Sequence, residues 1–188
     1  MRRGIRGCFY RGGLRRLSRA VRFFLCPRGI GHRRFRCGIR MRALDRETGM
    51  FDLDRPVVTT LASKVAEPNP VEGAFVLPRG DWYYLFVSHD FCCRGVDSTY
   101  KIVVGRSSDP EGPYFDREGR AMAQGGGTVV RDGSSHPRWA GPGHCSVYTD
   151  NGVNRLVYHA YDRENGGKPV LQIEKIEWTR DEWPYCTE

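Results

Sequence analysis

The first 42 residues contain no Asp, no Glu and no Lys, although they hold fourteen Arg. No uncharged apolar run in the 188-residue chain approaches the roughly 20 residues of a spanning helix, which excludes a transmembrane helix. A secretory signal is excluded too: the apolar stretch at Phe23 is short, Arg22 precedes it, and no small-x-small cleavage site follows. Serine is scarce in this segment, Ser18 being its only one, which argues against a transit peptide. Arms that bind nucleic acid normally mix Lys with Arg, because a phosphate contact needs only positive charge. An arginine-only stretch rich in Gly, Cys and Phe reads better as a leader outside the native frame or start. It carries +14 against −6 for the rest of the chain, so the overall +8 describes neither part. The chain divides into an Arg-rich leader, 1–37, and a mildly acidic globular part, 38–188, with neither nucleic acid nor membrane as partner.

Paired cysteine spacing is also lacking. Cys26, His32 and Cys37 do not have zinc-finger spacing, and Cys92, Cys93, Cys145 and Cys186 read as buried or free thiols.

What the globular part does have is short strands punctuated by turns, with no convincing helix. Asp81 to Ser88 is an aromatic, β-branched run, Tyr100 to Arg106 its antiparallel partner, and Asp109-Pro110-Glu111-Gly112-Pro113 a turn. The same order recurs with Arg155 to His159, Val170 to Ile176 and a closing turn at Trp183-Pro184-Tyr185. Sliding the chain by 72 positions lays Glu72 on His144, Phe75 on Val147, Leu85 on Val157 and Asp90 on Asp162 without a gap. An all-β repeat of about 50 residues joined by a Gly-rich loop is the pattern of a propeller blade, with a β-sandwich as the rival. Blades over 70–118 and 140–186 would put Glu72 and His144 at the starts of inner strands, as neighbours on the axis.

Glu72, among Val71, Ala74, Phe75 and Val76, is a candidate general acid with a raised pKa, or else an exposed loop glutamate. His144, in Gly141-Pro142-Gly143-His144, is expected in a rigid turn, as a metal ligand or a hydrogen-bonded core residue. Ser88-His89-Asp90 has the residue types of a hydrolase triad, but strand neighbours point to opposite faces and cannot form a relay. Gly125-Gly126-Gly127-Thr128 lacks the Lys and following helix of a phosphate loop.

Val71 to Phe75, Trp82 to Ser88, Asp90 to Val96, Ser98 to Ile102, Val104 to Ser107, Gly141 to His144, Leu156 to Asp162 and Gly167 to Pro169 together resemble glycoside hydrolase family 43. The arabinan endo-1,5-α-L-arabinosidase branch is the nearest, over about 38–188. The resemblance implies an all-β fold of the five-bladed β-propeller family, present here as about two blades plus part of a third. It implies inverting hydrolysis of α-1,5-L-arabinan with Glu72 as general acid, and His144 beside a central calcium held largely through water. Phe91 and Arg94 are implied at the edge of the sugar cleft, Arg94 alternatively pairing with Asp90 or Asp97. An extracellular location is expected by resemblance.

Inversion needs a second carboxylate to activate water. The family carries it on an earlier blade, and the leader offers none, while Asp45, Asp52 and Asp54 fall in a blade-end region. The expectation is an inactive C-terminal fragment that carries the acid without the base and self-associates through open blade edges. The alternatives are an exo-acting α-L-arabinofuranosidase or β-xylosidase of the same family, and a non-catalytic carbohydrate-binding or assembly module.

Overall fold

A computed structural model describes residues 20–21, 38–65 and 70–187. The leader, apart from Ala20–Val21, lies outside the described residues. Among the described residues the fold is all-β, with three one-turn 3-10 segments and no longer helix. Eleven strands run as β1 Ala20–Val21, β2 Ile39–Leu44, β3 Val58–Ala62, β4 Val71–Arg79, β5 Trp82–His89, β6 Lys101–Ser107, β7 Thr128–Arg131, β8 Trp139–Asp150, β9 Val153–Asp162, β10 Lys168–Trp178 and β11 Pro184–Cys186. They form three antiparallel meanders in chain order: β1 to β3, β4 to β7, and β8 to β11.

The three sheets stack, and β5 explains why. Its six residues Trp82 to Val87 are apolar without alternation, the signature of a strand covered on both faces. Side chains two apart share a face. Tyr84 and Phe86 enter one core with Ile102, Val104, Leu156 and Tyr158, between the second and third sheets. Leu85 and Val87 enter another with Ile39, Met41, Leu61 and Val103, between the first and second. Polar ties reinforce the seam between the second and third sheets: Arg131 Nε donates to Glu174 at 2.6 Å, a carboxylate that Tyr158 Oη steadies from within the third sheet, and Tyr84 Oη donates to the Glu182 carbonyl at 2.6 Å.

Three expectations need correction. The second sheet does not end at 118, because β7 at Thr128–Arg131 supplies its fourth strand. Pro184 and Tyr185 belong to edge strand β11, not to a turn, since they pair with Trp178 and Glu177. Cys92 and Cys93 are not free thiols but are bonded to each other; Cys145 and Cys186 are free. Spacing rules for disulfides are blind to adjacent residues, whose bond closes no loop from which to read a pairing.

Candidate active site

The site lies where β4, β5, β6, β8 and β9 converge at one end of the seam between the second and third sheets. Glu72 is the second residue of β4 and is partly exposed. The register of β4 against β5 shifts between Glu72 and Phe75, with Gly73 in the left-handed region at φ 62°. A side chain at Gly73 would meet His144 Cα at 3.0 Å, so this glycine lets β8 pass close beside Glu72. His144 is thus a neighbour of Glu72 across the seam, as the 72-residue repeat implied.

His144 does not sit in a turn at a strand start. It is the sixth residue of β8, where the register with β9 shifts on both sides of Gly143, and its φ is 55°. Positive φ is uncommon for a residue with a Cβ and needs its surroundings to hold it. The hold is visible: the His144 amide donates to the buried Ser88 hydroxyl at 2.8 Å. The imidazole itself is exposed toward the site.

Tyr100 supplies the contact that spacing alone missed. Buried at the entry to β6, it donates its hydroxyl to Glu72 Oε1 at 2.7 Å. Burial and that bond push its pKa far up, so the hydroxyl stays protonated and remains a donor. Its ring fills space that only a glycine at 143 leaves open, since a Cβ there would fall 1.9 Å from Tyr100 Cδ1. Beside it, 5.9 Å between ring centroids, stands His159 of β9. Burial, with the nearby His144, lowers the His159 pKa, and its Nε2 lies 3.3 Å from Tyr161 Oη. The same Tyr161 oxygen accepts the Cys93 amide at 2.8 Å. Ser88, Tyr100, His159 and Tyr161 therefore belong to the site. A signal for Ser88 existed: it is the polar end of the face that Tyr84 and Phe86 begin.

The remaining candidates surround this group. Phe91 is partly buried in the loop after β5, and the Arg94 guanidinium lies 4.3 Å above its ring. Asp90 is held instead by Lys64 and by Lys101 at 2.9 Å, and those bonds keep its pKa low against the opposing effect of burial. His89 turns away from Ser88, as strand geometry requires, toward Gly127. Asp45 accepts the Thr48 amide at 2.7 Å in the turn after β2, and Asp52 accepts the Asp54 amide at 3.0 Å.

A carboxyl that accepts from a protonated phenol, with a histidine on the neighbouring sheet close by, is suited to proton delivery. The model of Glycosyl hydrolases family 43 matches residues 22–184.

The chain belongs to glycosyl hydrolases family 43.

The match begins sixteen residues before the boundary at 38 that the motifs alone suggest. The extracellular exo-alpha-(1->5)-L-arabinofuranosidase of Cellvibrio japonicus is 46% identical over 118 residues, 63% of this chain and 33% of that protein. The extracellular endo-alpha-(1->5)-L-arabinanase 1 of Bacillus subtilis is 40% identical over 153 residues, 80% of this chain and 44% of that protein. The structure of the Cellvibrio cellulosa alpha-L-arabinanase complexed with arabinohexaose superposes with a TM-score of 0.74 at 35% identity, covering 80% of this chain and 50% of that one. The chain thus spans between a third and a half of these relatives.

Proposed function

We propose that residues 38–188 form the acid-bearing part of an inverting arabinanase. In this reading the three sheets are two blades and part of a third of a five-bladed propeller, and Glu72 is the general acid. The carrying observation is the convergence on Glu72 of Tyr100 from β6 and His144 from β8. Glu72 gives its proton to the glycosidic oxygen as the bond to the anomeric carbon breaks, while water attacks that carbon from the opposite face and loses a proton to a second carboxylate about 6.5–9.5 Å from Glu72. Tyr100 fixes the rotamer of the acid, and Phe91 with Arg94 borders the sugar.

The base is not assigned to any residue of 38–188. Calcium prefers six to eight oxygen ligands. Among the described residues no cluster of three His, Cys, Asp or Glu could hold a metal, so these side chains do not by themselves fit that ion. His144 can offer one imidazole to an ion otherwise held by water.

Endo action on α-1,5-linked arabinan, outside the cell, is the reading preferred; exo action is the second, supported by the name of the Cellvibrio japonicus relative. The test is reducing-end release from linear arabinan. The chain alone should release none, while the chain joined to the N-terminal blades of a relative should be active and should lose that activity on Glu72→Gln. Hydrolysis by the chain alone would overturn the missing base, and survival of the joined enzyme after Glu72→Gln would overturn the acid.

A further inference from the structure

The opposite end of the same seam carries a second opening that the proposed chemistry does not use. A groove of about 540 Å³, within the range of ligand pockets, is lined by Trp82, Phe115 and Trp183 together with Arg106, Asp109 and Asp181. Trp82 and Ser88 are six residues apart along extended β5, which separates this groove from Glu72 by about 20 Å.

Its walls are rigid. The Arg106 guanidinium is clamped between two indoles, 4.3 Å from the Trp82 ring and 4.5 Å from the Trp183 ring. Its Nη1 donates to the Asp181 carbonyl at 2.7 Å, and the Asp181 carboxylate pairs with Arg117 at 3.0 Å. Phe115 is fixed by backbone bonds in both directions with Arg106, yet the residue is 42% exposed beside the opening. An apolar ring held out toward water on a rigid mount, opposite planar polar groups already fixed in place, is a preorganised surface.

Its charge selects the class of ligand. The lining arginines, Arg106 and Arg117, are balanced by Asp109 and by the Asp181 carboxylate that pairs with Arg117, so the groove has no excess positive field to attract phosphate or a polyanion. Trp183 is buried and the Arg106 guanidinium stacks on both indoles, so the ring open to a ligand is Phe115. One open aromatic ring beside carboxylate and guanidinium edges suits a ligand with apolar ring faces and many hydroxyls, which is a neutral sugar.

We propose that this groove is a second carbohydrate site, distinct from the Glu72 site, that holds a neutral arabino-oligosaccharide segment. The choice of arabinose rests on the function proposed above; the choice of a neutral sugar rests on the groove alone. Two sites on one molecule would hold a long polymer at high effective concentration near the site of cleavage.

The test is calorimetric titration of the Glu72→Gln chain with arabinohexaose, with xylohexaose and heparin in parallel. Phe115→Ala should weaken arabinohexaose binding about tenfold, the size expected of one well-packed aromatic contact. Phe115→Tyr should bind like the parent, and Asp109→Ala, an exposed lip residue, should weaken binding without touching the aromatic wall. Unchanged binding in both Phe115→Ala and Asp109→Ala, with loss only on Phe91→Ala, would overturn the groove and leave the Glu72 site standing. Phe115-dependent binding of xylohexaose with none of arabinohexaose would keep the groove and overturn the arabinan reading. Tighter binding of heparin than of either sugar would overturn the neutral-ligand assignment.

Discussion

The amide of His144 donates to the hydroxyl of Ser88 at 2.8 Å across the seam between two sheets. One bond thus joins a left-handed residue of β8 to the polar end of β5. Ser88 is fully buried, so Ser88→Ala leaves an amide without a partner in a dry place. The expected loss is about 1–3 kcal/mol of unfolding free energy, measured by urea titration. A variant as stable as the parent would mean that the bond does not hold His144.

Gly143 should tolerate no side chain while Tyr100 is present, because a Cβ would fall 1.9 Å from the ring. Gly143→Ala is expected to destabilise by about 3 kcal/mol or more. In the Tyr100→Ala background the same substitution should cost much less, and additive effects in this double-mutant cycle would refute the packing account.

His89 is buried, its Nε2 has no hydrogen-bond partner among the described residues, and burial together with the Lys64 charge pulls its pKa down to about 4. Its unfolded value is about 6.5. The folded chain therefore holds His89 neutral where the unfolded chain would protonate it. Stability from this group is full above pH 6.5 and falls as pH drops toward 4, by at most about 1.4 kcal/mol per unit. His89→Gln should flatten the stability profile in that window; an unchanged slope would show that His89 is already charged.

Tyr100→Phe removes the donor to Glu72 and nothing else from the ring. In a complete enzyme carrying this chain, kcat on arabinan should fall about 3- to 10-fold, the worth of one hydrogen bond that positions the acid, with KM nearly constant. A rise in KM at constant kcat would make Tyr100 a binding residue instead.

Leu171 and Ile173 share one face of β10 and are more than half exposed, with Tyr148 exposed on β8 of the same sheet. This face is expected to pair with that of a second copy in solution. Leu171→Lys with Ile173→Lys should shift light scattering toward monomer; a parent already monomeric at high concentration would refute the pairing.

The aromatic run at Trp82 to Val87 and the 72-residue spacing of Glu72 and His144 were enough to place strands and bring the two residues together. The first is a local run of strand-forming residues and the second an internal repeat, and a single chain displays both. The β-bulges at Gly73 and Gly143 were not legible, because a bulge is a relation between two strands. Tyr100 escaped for the same reason: its partner Glu72 belongs to a strand not paired with its own. The Cys92–Cys93 bond has no spacing to read, and the fourth strand of the second sheet lies beyond a long loop that hides its pairing.

The two-sided burial of β5 makes register a shared dependency. A slip of one residue along that strand would exchange its two faces. Tyr84 and Phe86 would press into the space shaped for Leu85 and Val87, Ser88 would leave His144, and His89 would enter the seam. Both cores and the site would fail in the same event. A single strand therefore proofreads the alignment of three sheets, and no stable half-assembled form that keeps the site without both cores is open to this sequence.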